Sequence, residues 1–353
     1  MIAKPKKKGL FIVSIGVEEL DNLYKGIEKK IGLPIDRLII ATKIAITFQF
    51  IEVEFPDAVR RMLRLLGRVI KRSKSLKNLM IKIALKRERG LLDFLGWGVV
   101  ENIKMENSGI SAELINPAIL PLMIGGTSGS MQYIFGHPSA EANWEEKEGV
   151  AKISMKFLKK ESKLAKYVHR PLTYSETNLL PGEADYHYCL KCGVSMEIAE
   201  FFRWEPEKAS FYQKKTGKRY MSMSTFNFND IFKMLEGELG KEIPKIIVDL
   251  EKEYIKKNFQ DIKTEANLER GELKGEEEDY RALLNIISIK GFGIAVEIKK
   301  QGKDLKVRIN NPGNEAYLAG IISGMYEAIE KTETQVQWLP STEGYTIITV
   351  SPK

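Results

Sequence analysis

Cysteine and histidine are scarce in this chain, at two and three among 353 residues. Two cysteines cannot make a disulfide framework, and their Cys-x-x-Cys spacing at Cys189 and Cys192 points to a reducing compartment with at most a metal or redox role. Three histidines leave little room for a multi-histidine metal site, and no serine, histidine and acid constellation stands out for nucleophilic catalysis. Long apolar runs are missing too. The most apolar stretch, Leu38 to Val53, is too short to span a bilayer and carries Lys43. The N-terminus is basic and then apolar, like a signal peptide, but Glu18 and Glu19 follow without a small-residue cleavage site. A cytoplasmic protein without a transmembrane helix is expected.

With 43% hydrophobic and 29% charged residues, the chain reads as globular and long enough for two or three domains. Its net charge of +8 is unevenly placed: Asp57 to Gly90 holds twelve basic residues against Asp57 and Glu88. Met62, Leu65, Leu66, Val69 and Ile70 recur there at helical spacing, which predicts an amphipathic helix with a basic face. The plain reading of that face is solvation. Contact of residues 57–90 with anionic lipid, nucleic acid or an acidic ligand is the alternative, an anionic surface being the partner retained and nucleic acid not expected.

The glycine-rich run IGGTSGS, residues 124–130, raises the question of phosphate binding. It lacks the lysine of a P-loop and the spacing of a dinucleotide fingerprint. An internal repeat gives a better account. Shifted by 195 residues, positions 96–155 show thirteen identities with positions 291–350, where about four would arise from ordinary residue frequencies. Among them, Gly96 and Gly98 fall on Gly291 and Gly293, Asn116-Pro117 on Asn311-Pro312, and Gly125, Ser128 and Gly129 on Gly320, Ser323 and Gly324. The second copy reads AGIISGM beside an apolar stripe, so the small residues are expected on a helix face that packs closely. Each helix is expected to start near its Asn-Pro pair. Hairpins flank the helix in both copies. The fold class that follows is α+β: two repeated units of antiparallel sheet with a packed helix, joined as a pseudo-dimer, plus N-terminal helices and a small β subdomain carrying the Cys-x-x-Cys.

A glycine-aromatic-glycine turn, a hairpin, an Asn-Pro pair, a GxxSG helix and a closing hairpin together resemble the 4-vinyl reductase, or hydrocarbon-binding, domain family. That family shares its general fold with transport-protein-particle subunits and, more remotely, with haem nitric-oxide-binding domains. The resemblance covers about residues 91–157 and 285–351. It implies a module, often dimeric, that holds an apolar or aromatic small molecule in a pocket and senses or carries it. Family members often carry cysteines in the closing strands, and this chain has none there, which puts cysteine-dependent chemistry in doubt. No catalytic residue transfers.

Four segments are expected: 1–157, N-terminal helices and the first unit; 158–262, a Cys-x-x-Cys region with a long helix; 263–283, an acidic linker; and 284–353, the second unit. Cys189 and Cys192 form half of a zinc knuckle, with His187 the foremost third ligand and zinc the candidate metal; His169, His137 and Asp185 are further donors. The first copy is the better host for a small hydrophobic ligand. It has Gly126, Thr127 and Ser130 where the second has Ile321, Ile322 and Met325, with Trp97, Met123 and Trp144 as neighbours. The leading expectation is a non-enzymatic sensor or carrier. A reductase or metal/redox accessory enzyme, and an adaptor at an anionic membrane surface, are the alternatives.

Overall fold

The computed structural model describes residues 12–54, 94–105, 109–135, 139–158, 186–191, 195–269, 273–339 and 343–353, with 57, 60, 61, 65 and 180. The first unit runs β1 (Ile12–Gly16), α1 (Val17–Ile31), α2 (Asp36–Glu54), β2 (Val99–Met105), β3 (Gly109–Ile115), α3 (Leu120–Phe135), β4 (Ser139–Lys147) and β5 (Val150–Leu158). Next come α4 (Met196–Phe201), β6 (Phe202–Glu205) and β7 (Ser210–Gln213). The second unit follows as β8 (Arg219–Ser224), α5 (Thr225–Leu239), α6 (Ile243–Lys257), α7 (Phe259–Glu265), α8 (Glu277–Ile289), β9 (Ile294–Gln301), β10 (Asp304–Asn310), α9 (Glu315–Glu330), β11 (Thr334–Trp338) and β12 (Tyr345–Pro352).

The described strands form three antiparallel four-stranded sheets. Two have the same order, β2-β3-β5-β4 and β9-β10-β12-β11, so the repeat seen in sequence is a repeat in topology. The third, β1-β8-β7-β6, joins the halves. The α+β class holds throughout.

The duplication extends further than sequence comparison shows. Shifted by 208 residues, β1 falls within β8, and α1 coincides with α5 from end to end. Gly32 and Gly240 close these two helices, with φ of 75° and 114°. Helices α2 and α6 then occupy equivalent places beneath α3 and α9. Strand β8 therefore opens the second unit rather than belonging to a separate β subdomain. The long helix expected in the middle region is broken at Gly240, where α5 ends, and resumes in α6 with Pro244 in its first turn. Residues 263–283, expected as an acidic linker, include the end of α7 and the start of α8. There Glu276 and Asp279 form a reciprocal capping box, which is where the acidic residues go.

IGGTSGS is helical, inside α3, and its amides are spent on the helix. The helix starts do not match expectation: α3 begins at Leu120 and α9 at Glu315, three residues beyond each proline. Asn116 and Asn311 instead take left-handed φ of 51° and 53°, a region asparagine tolerates, and turn the chain out of the hairpin. Their backbone N–H groups donate to the carbonyls of Gly149 and Gly344 at 2.8 and 2.6 Å. Asn314 then caps α9 by accepting from the Tyr317 N–H at 2.9 Å.

Glycine sets two close approaches. In the glycine-aromatic-glycine turns, a Cβ at Gly96 would stand 2.9 Å from the Tyr220 carbonyl oxygen, and one at Gly291 would stand 2.1 Å from that of Ile12. Each unit thus presses its turn onto the first strand of the other. Trp97 and Phe292, the aromatics of these turns, are buried, and the Trp97 indole donates to the Ser222 carbonyl at 2.6 Å. No described helix is long and apolar enough to cross a membrane.

Candidate functional site

The site begins where α3 crosses α2. Gly125 and Gly129 face α2 at a separation that excludes side chains: a Cβ on Gly125 would lie 2.6 Å from Lys43 Cβ and 2.7 Å from the Ile40 carbonyl oxygen, and one on Gly129 would lie 2.8 Å from Thr47 Cβ. Ser128 points the other way, its hydroxyl 2.9 Å from the Met155 sulfur on β5. The second unit repeats this, with Gly320 and Gly324 against Val248, Glu251 and Ile255 of α6, and Ser323 hydrogen-bonded to Thr334 at 2.6 Å. The small residues therefore serve both faces of one helix.

Gly126 is different. Among the described residues only Lys43 Cε comes within 4 Å of the place its Cβ would take, at 3.6 Å, an ordinary contact. Packing does not require a glycine there. Gly126, Thr127 and Ser130 are half-buried, whereas Ile321, Ile322 and Met325 at the equivalent positions are buried in the core. Met123 and Trp97 are buried, as core residues would be. Trp144 on β4 is half-buried and lines a different space, described below.

Lys43 links two of the expected residues. Its stem runs past Gly125 and Gly126, and its ammonium lies 4.8 Å from the centre of the Trp97 ring. Only 7% of the residue is exposed. Its backbone carbonyl accepts from the Thr47 hydroxyl at 2.8 Å, but its ammonium has no hydrogen bond or ion pair with any described residue, and burial pushes the amine down to about 8. In sequence, Lys43 reads only as an interruption of an apolar run. A lone lysine at helical spacing amid Ile39, Ile40, Ile44 and Ile46 is the signal that was there to find.

The second unit fills the equivalent region with its own charges. Glu251 stands where Lys43 stands in the first unit and is 1% exposed. Glu19 from α1, Lys290 and Tyr317 act on it electrostatically, and Glu265 and Tyr220 join these three beside it. The Lys290 ammonium is 3.1 Å from Glu265, Tyr220 donates to Glu265 at 3.0 Å, and Tyr317 donates to Glu19. Burial raises Glu19 against the pull of Lys290 and Tyr317, and raises Glu251 well above the usual carboxylate range. Lys290 is raised: burial opposes its charge, but Glu265 and Glu19 outweigh it. Most of this cluster borders a cavity of about 40 Å³, room for a water-sized guest.

A larger cleft of about 670 Å³ lies where α1 and the Pro117–Pro121 turn of the first unit meet Lys218, Arg219 and Tyr254 of the second. Trp144 contributes to it, but so do Glu18, Asp21, Glu28, Asp36 and Glu146, which make its wall acidic.

Of the knuckle residues, His187 is exposed and Cys189 half-buried, while Cys192 lies outside the described residues, as do His137, His169, Asp185 and most of the basic segment 57–90. The His187 ring nitrogen Nδ1 sits 2.9 Å from Glu197 Oε1, which also accepts the His187 backbone N–H at 2.9 Å. That backbone bond, the Ser195 hydroxyl and the His187 ring together hold Glu197 down at about 2. Among the described residues no three potential ligands gather to hold a metal.

No protein-family model and no curated protein matches the chain. Solved structures of H-NOX proteins align with part of it. One, from work probing heme distortion in the H-NOX family, has a TM-score of 0.27 and 16% identity, covering 45% of this chain and 83% of that chain. A Cs H-NOX mutant with 4-cyano-L-phenylalanine gives 0.26 and 15%, covering 45% and 84%. A mutant of T. Tengcongensis H-NOX gives 0.25 and 14%, covering 45% and 85%. Likeness at this level assigns no function.

Proposed function

We propose that this chain is a tandem pair of units akin to the 4-vinyl reductase, or hydrocarbon-binding, domain, and that its first unit holds a small hydrophobic or aromatic molecule as sensor or carrier. One contrast supports the reading. The same helix face is sealed by Ile321, Ile322 and Met325 in one unit, and left half-buried as Gly126, Thr127 and Ser130 in the other. Gly126 has no packing reason among the described residues to be glycine, so the missing volume is a place for a guest. The acidic cleft between the units is a poorer host for an apolar molecule, because bound apolar surface would strip water from five carboxylates.

Native mass spectrometry of protein purified from its source tests the reading, with an apolar small molecule retained on the intact chain as the expected result. Gly126→Leu should abolish that retention in a chain that still folds. Retention unchanged by Gly126→Leu places the guest elsewhere, and a chain that no longer folds makes this face part of the packed core.

A further inference from the structure

The geometry points to a ligand that carries one negative charge: a carboxylate on an apolar or aromatic body, with the Lys43 ammonium as its counter-ion in the first unit. This rests on the proposed pocket and narrows what it takes. Lys43 is more than nine-tenths buried, its ammonium has no hydrogen-bond or ion-pair partner among the described residues, and its stem reaches past the one glycine of α3 that packing leaves open. A buried cation without a counter-charge is disfavoured, and the Trp97 face offers it only a weak electrostatic partner.

Comparison of the two units shows how the fold otherwise deals with charge at this position. Where the second unit has Glu251, whose Oε2 has no hydrogen bond and whose charge burial opposes, the neighbouring Glu19 and Glu265 are matched by Lys290 and tyrosines of the protein itself. The first unit lacks that complement. The positions of Lys290, Tyr317 and Tyr254 are held in the first unit by Leu95, Leu122 and Ile46, and that of Glu19 by Asn227 on α5 of the second, three aliphatic side chains and one neutral amide. The missing partner of Lys43 is therefore an anion supplied from outside. The aliphatic surroundings require the rest of the ligand to be apolar. A carboxylate fits better than a multiply charged phosphate, because one ammonium in an apolar wall compensates one charge.

Matched pairs of probes separate the charge from the apolar body. Dodecanoate with dodecanamide, and naphthalene-1-carboxylate with naphthalene-1-carboxamide, are titrated into the full chain, and binding is followed by calorimetry. The wild-type chain should bind at least one carboxylate about tenfold or more tightly than its amide. Lys43→Met, which keeps the length of the stem, should lose that preference, and Lys43→Arg should keep it. Should Lys43→Met fail to fold, Lys43→Gln gives the same comparison. Equal binding of acid and amide by the wild type, with both blocked by Gly126→Leu, overturns the charge assignment and leaves the pocket standing. A preference that survives in the Lys43→Met chain also overturns it. If no probe binds, or Gly126→Leu changes nothing, the pocket falls and this inference with it.

Discussion

Ser14 on β1 and Ser222 on β8 are joined hydroxyl to hydroxyl at 2.8 Å, and each is the repeat equivalent of the other. They also face one another in the strand register, between Ile12↔Ser224 and Gly16↔Tyr220. A pair of equivalents that bond to each other marks a two-fold axis. The chain is folded about it as two copies of a subunit would be in a symmetric dimer, with the first strands as the seam.

That seam depends on backbone approach. Gly291→Ala should destabilise the chain by more than about 2 kcal/mol, since the new methyl would lie 2.1 Å from the Ile12 carbonyl oxygen at a φ of 83°. Gly302→Ala, at a φ of 62° with nothing within 4 Å, should cost only about 1 kcal/mol. Denaturant titration of the two variants checks this, and equal losses would mean that strain in φ, not contact across the seam, sets the cost.

The three glycines of α3 should part company on substitution by alanine. Gly125→Ala and Gly129→Ala push a methyl into α2 and should each cost about 1–3 kcal/mol. Gly126→Ala meets only Lys43 Cε at 3.6 Å and should be neutral or stabilising by up to about 1 kcal/mol through helix propensity. Thermal melts give the order. A loss at Gly126 as large as at its neighbours would place it in the helix interface.

Asp230 on α5 is 3% exposed, its Oδ2 has no hydrogen bond, and burial raises its carboxyl to about 6, with Lys233 pulling weakly the other way. The folded state thus holds this proton more tightly than the unfolded chain. The resulting stability is present below the ordinary value near 3.8 and is lost as pH rises through about 6. Asp230→Asn should leave stability unchanged at pH 3.5 and raise it at pH 7, on the order of 2 kcal/mol once partial solvation is allowed for. Denaturation midpoints at the two pH values decide.

Glu327 behaves in the opposite sense. Burial works against its charge, but Lys256 at 2.9 Å, the Thr334 N–H and hydroxyl at 2.9 Å each, and Lys252 at 3.2 Å hold it down at about 2. Its stabilising effect is present above the ordinary value of 4.5 and is lost as pH falls through about 2. Glu327→Gln should cost about 1.5–3 kcal/mol at pH 7, the range for hydrogen bonds to a charged group, and far less at pH 2. The first unit has Gln132 at this position and Ile44 and Phe48 at the positions of Lys252 and Lys256, so the corresponding Gln132→Ala should show no such pH dependence.

Sequence by itself determined the elements whose cause is local. The hairpins of both units are written in alternation and turn glycines. The GxxSG helices are written in small residues at i, i+3 and i+4, and the repeat of β2 to β5 in β9 to β12 survives as thirteen identities. The first half of the duplication was not legible, because its offset is 208 rather than 195 and few identities remain from β1 to α2: Ser14, Lys25, Glu28, Gly32, Ile35 and Ile39 match Ser222, Lys233, Glu236, Gly240, Ile243 and Ile247. Core positions there keep volume and apolarity rather than identity. Only the tertiary structure decided which glycines are jammed and which is open, since Gly125, Gly126 and Gly129 differ in what stands opposite and not in their own sequence. It also decided that Lys43 is enclosed. A lysine's cost depends on whether a counter-charge lies within reach, and reach is fixed by the crossing of α2, α3 and the Trp97 turn, which are far apart along the chain and meet only in the fold.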